Sequence, residues 1–336
     1  MDYHNSHHLQ YCVVALLSIH RKYQFLHPTK FNFNHVVLVR CFNCQVSNYP
    51  SFIHSSSGGA IVTAVLYESP TIGIIGLGHF GKALAEGIIA NTYSKVWATN
   101  RHPVEGGDAK MEKWGKGFKL CDTNQDLLSE CPIIIVAVRP QDMSEVLTEI
   151  KDYDGVLISF AAGLPHSYYK REVTGATVIR AMSNLGVAYG RGMTAWAASD
   201  DIDVETRWVV QSLFSDLGNS LQVDLENENH IDVVTALSGS GIAYLAQVFD
   251  TMKSVGVSQG MSEAEAELTV LETVSGVLAI CDNTELSLND IVEGVASKGG
   301  TTEAGLKTMD KKGLKTALTQ GLEDTISKSN SFSNPK

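Results

Sequence analysis

The sequence predicts an α/β protein: a doubly wound N-terminal domain of parallel strands and helices, followed by an all-helical C-terminal domain. Three observations carry this. A strand, a glycine-rich loop and a helix follow one another without a break in TIGIIGLGHFGKALAEG, residues 71–87. Short apolar segments then alternate with helical spans to about residue 225, the order that builds a parallel sheet covered on both faces. After Asn229 the apolar spacing turns helical and stays so,. The expected organisation is a poorly ordered extension or leader over 1–69, a dinucleotide-binding domain over 70–228, an all-helical domain over 229–328 and a disordered tail over 329–336.

In the first element, Thr71–Ile75 reads as a buried parallel strand. Gly76, Gly78 and Gly81 then fall on G-x-G-x-x-G spacing. Each glycine has a separate task in a Rossmann-type turn. Gly76 lets the chain leave the strand sharply, Gly78 clears space for backbone N–H groups to approach a pyrophosphate, and Gly81 lets the helix pack on the strand. The helix start adds unpaired N–H donors and a positive dipole end. Leu77, His79 and Phe80 complete the candidate cofactor loop. A lone glycine pattern arises by chance; its place between strand and helix makes it informative.

Lys95–Thr99 reads as the second strand. Where an NAD site usually carries a carboxylate for the ribose 2′-hydroxyl, this chain has Thr99, Asn100 and Arg101, with no acid before Glu105,. Hydroxyl, amide and guanidinium suit a 2′-phosphate, so NADPH is favoured over NADH. Pro132–Val138 reads as a fully buried strand, with Ala137, Val138, Arg139 and Pro140 at its ligand end. Gly155–Phe160 opens into Ala161, Ala162 and Gly163, whose small side chains leave room for a nicotinamide. Thr177–Ala181 is a further strand, leading into Met182-Ser183-Asn184.

The helical half begins its longest stripe with a capping box, Ser262 to Glu265, followed by Leu268, Leu271, Val274, Val277, Leu278 and Cys281,. Ser287–Asp290 repeats the capping pattern. Leu314, Ala317, Leu318, Leu322 and Ile326 share one face of the last helix. Such stripes pack on each other or on a second subunit. Between two helices lies Ser297-Lys298-Gly299-Gly300-Thr301-Thr302-Glu303, whose freed backbone and hydroxyls at a helix start make either an anion cradle or a capped turn.

The bounds are consistent with a small-molecule enzyme. The 336 residues carry a formal net charge of −11, which argues against nucleic acid as a partner,. Residues 1–70 hold seven of the eleven histidines and no lasting period, and the run Tyr11–Ile19 falls short of the ~20 residues that span a bilayer,. No membrane association is expected. Cys41-x-x-Cys44 has no second pair at ligand spacing, so no metal is expected and reduced thiols in a cytoplasmic protein are the default. An organellar location is the alternative if residues 1–70 are a transit segment.

The motifs GLGHFG, AVRPQ, SFAAG, IRAMSN, TALSGSGIAY and SKGGTTEAGL occur in this order, and over residues 71–328 the chain resembles pyrroline-5-carboxylate reductases. The resemblance implies a Rossmann domain, a helical domain that interlocks in a dimer or dimers of higher order, and NAD(P)H as hydride donor to a cyclic C=N bond, giving L-proline. Motif by motif, it implies that Ser297 and the N–H groups around Gly299, Gly300 and Thr301 hold the substrate carboxylate, that Thr302 meets the ring nitrogen, that Glu285 lies near the active site, and that Asn184 orders the nicotinamide pocket. The family has proline at the positions of Ser183, Gly186, Ile242 and Lys298, and these losses predict freer loops with altered hydrogen bonding. A Lys-x-x-x-Asn pair of 3-hydroxyacid dehydrogenases is missing after residue 70. Reduction of another cyclic imino acid, or NADPH sensing without turnover, are the remaining alternatives.

Overall fold

The computed structural model describes residues 70–92, 94–103 and 113–333. The readings of residues 1–69, of Cys41-x-x-Cys44 and of Glu105 lie outside the described residues. Among these, eight strands form one sheet in the order β3-β2-β1-β4-β5-β6-β7-β8. They are β1 (Ile72–Ile75), β2 (Val96–Thr99), β3 (Phe118–Leu120), β4 (Ile133–Val136), β5 (Val156–Ser159), β6 (Thr177–Met182), β7 (Gly192–Ala198) and β8 (Gly218–Gln222). All neighbours pair in parallel except β6 and β7, which are antiparallel.

The alternation along β1 and β4 explains why both faces are covered. Ile72, Ile74, Ile133 and Ile135 point into one apolar cluster, and Ile75, Ile134 and Val136 into the other. None of these seven is more than 3% exposed, and each buried side chain of this size contributes about 1.5–3 kcal/mol. The strands read from the sequence at 95–99, 132–138, 155–160 and 177–181 are all present, the first three trimmed at their ends and the last extended to Met182. β7 and β8 are additions that the apolar pattern does not single out. β8 reads GNSLQ and is largely exposed, so edge pairing rather than burial makes it a strand.

On one face, α1 (His79–Asn91) buries Gly81, Ala83, Leu84, Ala85, Gly87 and Ile88. The sheet is further covered by α2 (Gln125–Leu128), α3 (Met143–Glu149), α4 (His166–Glu172) and α5 (Val204–Asp216). The helical part opens with α6 (Asn229–Val234), continues through one π turn over Thr235–Gly239 and runs on as α7 (Gly241–Ser258). Then follow α8 (Glu263–Asn283), α9 (Leu288–Val295), α10 (Thr301–Lys311) and α11 (Leu314–Asn330). Both expected capping boxes close: Ser262 with Glu265, and Ser287 with Asp290.

The stripe on α8 faces outward. Ala266 and Val270 are its buried residues, whereas Leu268, Leu271 and Leu278 are 62%, 50% and 60% exposed. The span Asn229–Ser258 is long and apolar enough to cross a membrane, yet only 22% of its most apolar window is buried. It carries the exposed Leu245, Val248, Met252 and Val255. Apolar surface on this scale marks an association face.

One expectation fails at the C-terminus. Residues 329–333 are not a disordered tail: α11 extends to Asn330, and Ser329 is 3% exposed. Its hydroxyl donates to Asp232 Oδ1 at 2.7 Å. The polar composition of this segment conceals an acceptor 97 residues away.

That acceptor belongs to a clasp between sheet and helices. Arg180, in the middle of β6, is 2% exposed and donates through Nη2 to both oxygens of Asp232 at 2.8 Å. Its Nη1 meets the backbone and side-chain oxygens of Glu228 at 3.1 and 3.2 Å. A buried guanidinium with its main partner removed keeps its desolvation cost. Asp232→Ala is therefore expected to lower unfolding free energy by about 3–5 kcal/mol, read from the urea midpoint. The paired change Arg180→Met with Asp232→Leu is expected to cost much less.

Candidate functional site

A cleft of about 1110 Å³ opens at the carboxyl ends of β1, β2, β4 and β6, where doubly wound sheets take their ligands. Its glycine-loop wall is formed by Gly76, Gly78, His79 and Phe80. Gly76 adopts φ +100°, a conformation side chains disfavour, and a Cβ there would meet Val138 at 2.9 Å,. A Cβ on Gly81 would sit 1.9 Å from the Gly76 carbonyl oxygen, so the helix can start against the loop only without a side chain. A Cβ on Gly78 would meet nothing within 4 Å. The space it would fill is the cleft itself. No side chain caps the start of α1, leaving its N–H groups for a ligand.

Asn100 fixes the loop from the neighbouring strand. Its Oδ1 accepts from the Leu77 N–H at 2.9 Å, and its Nδ2 donates to the His102 carbonyl at 2.6 Å. Asn100 and Arg101 line the cleft, as do Ala137, Val138 and Arg139. Phe80 packs on Phe160 with ring centroids 5.1 Å apart, closing the apolar floor. Leu77, Gly81 and Pro140 support the walls without lining them.

Ala162 and Gly163 are placed otherwise than expected. Ala162 packs against the apolar cluster of Met182, Ala195 and Ile231. Gly163, at φ +76°, lies under the C-terminal segment, where a Cβ would be 2.0 Å from the Ser329 carbonyl oxygen and 2.8 Å from Phe332. Its small size serves the docking of α11. Sequence spacing alone does not distinguish these two uses of a glycine.

Asn184 lines the cleft and its side chain is held at two points. Its Oδ1 accepts from the Gly186 N–H at 2.9 Å, capping a 3₁₀ turn over Leu185–Tyr189, and its Nδ2 donates to Ser238 Oγ at 2.7 Å in the π turn. The Ser183 hydroxyl pairs with Thr194 Oγ1 at 2.8 Å. The lost prolines therefore do not leave these loops freer at Ser183 and Gly186. The hydroxyl and the N–H that proline lacks both carry bonds. Thr235 and Gly239 of the π turn and Thr123, Asn124, Gln125, Asp142, Glu145 and Glu149 also line it. Thr235 and Gly239 belong to the TALSGSGIAY motif; no motif flags the others, because loops distant in sequence bring them together.

The second chemical stretch lies apart from this cleft. Ser297 and Gly299 are exposed, and Gly299 adopts φ +74°. Gly300 caps α10, and a Cβ on it would be 2.5 Å from Ser297 Oγ, so the hydroxyl sits directly over the helix start. The Gly299 N–H donates to Glu303 Oε2 at 2.8 Å; this bond, with the Lys307 pair at 3.0 Å, holds the Glu303 carboxyl below its usual range. The Gly300 N–H donates to the Ser297 carbonyl at 2.9 Å, so two expected donors of the cradle are already used. Thr301 and Thr302 occupy the first turn of α10, and Glu285 is exposed between α8 and α9. No residue between 285 and 302 lines the cleft.

Sheet, glycine loop and cleft define a dinucleotide-dependent oxidoreductase of two-domain build. Residues 228–332 match the family model for pyrroline-5-carboxylate reductase dimerisation, and residues 71–163 match that of NADP oxidoreductase coenzyme F420-dependent proteins. The chain is 31% identical over 269 residues to the pyrroline-5-carboxylate reductase of Aquifex aeolicus, covering 76% of this chain and 95% of that one. It therefore belongs to the pyrroline-5-carboxylate reductase family. Its fold is similar to that of the Streptococcus pyogenes 1-pyrroline-5-carboxylate reductase, with TM-score 0.70 and 25% identity over 78% of this chain and 99% of that one. It is also similar to the Plasmodium falciparum pyrroline carboxylate reductase solved with NADP bound, with TM-score 0.72 and 24% identity over 79% and 98% of the two chains. The exposed apolar helices thus coincide with a self-associating region.

The glycine geometry separates two kinds of damage. Gly81→Ala forces backbone apart and is expected to cost about 1–3 kcal/mol of stability, seen as a lower melting temperature. Gly78→Ala is expected to keep the melting temperature and weaken dinucleotide binding, measured by quenching of intrinsic fluorescence.

Proposed function

We propose that the protein reduces 1-pyrroline-5-carboxylate to L-proline with NADPH, the last step of proline biosynthesis. The observation that carries this reading is membership of the family across both halves, with an open dinucleotide cleft in the first half and the Ser297–Thr302 cradle in the second. NADPH, when bound, supplies the hydride. The cleft fits such a group: Gly78 leaves its space open, and Arg101 lines the cleft with a guanidinium suited to a 2′-phosphate,. NADH is the less favoured donor.

In this reading Ser297 Oγ and the Thr301 N–H, beside the Gly299–Gly300 turn, take the substrate carboxylate at the positive end of α10. Thr302 bonds the ring nitrogen and orients the C=N bond. Asn184, locked by Gly186 and Ser238, shapes the wall beside the nicotinamide. A protonated imine is already electrophilic, so positioning matters more than a strong acid. Glu285 contributes negative charge near the iminium.

The cradle does not line the cleft of its own chain, which supports an active site assembled from two copies. The outward faces of α7, α8 and α9 offer the apolar area for that association, including Leu268, Leu271, Leu278, Val292 and Val295. A cytoplasmic setting agrees with Cys121, Cys131 and Cys281 as free thiols,.

Adding pyrroline-5-carboxylate to the full chain with NADPH is expected to consume the reduced cofactor, followed at its absorbance band, and more slowly with NADH. No oxidation despite NADPH binding overturns the reading. Thr302→Ala is expected to lower kcat by about tenfold to a hundredfold and to leave the NADPH dissociation constant little changed. An equal loss in both removes Thr302 from the substrate site.

A further inference from the structure

The cleft beside Arg101 holds a charge arrangement that the glycine loop does not explain. Arg101 Nη1 donates to Glu145 Oε2 at 3.0 Å and Nη2 donates to Asp142 Oδ1 at 3.0 Å. The second oxygen of Asp142 accepts from Arg139 Nε at 3.0 Å. Burial pushes the Asp142 carboxyl up, but its hydrogen bonds with Arg101 and Arg139 outweigh this and hold it below the usual range. Asp142 is thus ionised between two guanidinium groups, with its side chain 19% exposed. Glu145 has Arg101 as its ion-pair partner and its side chain is 63% exposed.

Asp122 and Glu149 line the same end of the cleft, and Glu149 accepts from Asn124 Nδ2 at 2.6 Å. Four carboxylates therefore line the cleft with two arginines. A 2′-phosphate brought to Arg101 enters a region already in negative excess. Each terminal nitrogen already gives one N–H to a carboxylate, so a phosphate that takes Arg101 as its ion-pair partner competes with Glu145 and Asp142 for the guanidinium,. Glu145 is the one free to leave, since Asp142 is held from two sides.

We propose that Glu145 sets the choice between NADPH and NADH by competing with the 2′-phosphate for Arg101, while Asp142 stays to aim the guanidinium. The inference rests on the reading of the cleft as an NAD(P)H site. Binding NADPH then breaks one ion pair that binding NADH leaves intact, and the preference for NADPH is narrower than Arg101 alone would give.

The test needs no turnover. The full chain is titrated calorimetrically with 2′,5′-ADP and with 5′-ADP at low ionic strength. Glu145→Gln is expected to widen the affinity ratio in favour of 2′,5′-ADP by roughly threefold, the scale of an exposed charge pair. Added salt is expected to shrink the difference. In Arg101→Ala the ratio is expected to fall towards one, and adding Glu145→Gln to it is expected to change nothing further. A ratio that stays constant or narrows in Glu145→Gln overturns the proposal, narrowing because Glu145 would then hold Arg101 ready for the phosphate. Failure of both nucleotides to bind overturns the cleft reading and the proposal with it.

Discussion

The buried pairing of Arg180 with Asp232 and Glu228 is the constraint on which the arrangement of the two halves depends. A guanidinium in the centre of a sheet strand is tolerable only if its donors are met, because an unpaired buried charge costs several kcal/mol. Both partners come from the start of the helical half, 48 and 52 residues further on. The requirement therefore fixes where α6 begins against β6. Ser329 adds a third attachment through Asp232, drawing the end of α11 onto Gly163. Arg180 Nε has no partner among the described residues, so the clasp is not a perfect solution, and positional control rather than net stability is its clearest result.

From that placement the cleft acquires its second wall. The π turn after α6 carries Thr235 and Gly239 into the lining and sets Ser238 against Asn184. A π turn widens the helix by one residue and often occurs at functional positions. Here it turns a helix joint into a bonding partner for the 3₁₀ turn at Leu185–Tyr189. The cofactor wall, in contrast, is local. The strand, loop and helix of residues 72–91 make it almost without help, apart from the reach of Asn100 to Leu77.

The positions where the chain departs from its family show how hydrogen bonding replaces ring stiffness. Proline restricts φ and withholds a donor. Serine and glycine restore freedom, but Ser183 uses its hydroxyl on Thr194 and Gly186 uses its N–H on Asn184. A change that reads as loosening in one dimension becomes an additional restraint once strand β7 lies alongside. Gly163 teaches the complementary lesson. Its left-handed φ is real, yet it serves the docking of Phe332 and Ser329 and not a nicotinamide.

The sequence by itself determined the strand–glycine–helix unit, the buried strands at residues 133–136 and 156–159, and both capping boxes, because each depends on residues within a few positions of one another. It also carried the two chemical stretches, since glycine spacing and clustered hydroxyls are local chemistry. Only the tertiary structure decided that α8 turns its leucines outward, that residues 329–333 are packed, and that Arg101 is engaged by Asp142 and Glu145. Those outcomes depend on which surfaces meet between residues far apart in the chain, as Arg101 meets Asp142 and Gly163 meets Ser329. Neither apolar period nor composition encodes a partner at that distance, because burial and charge pairing are properties of neighbours in space.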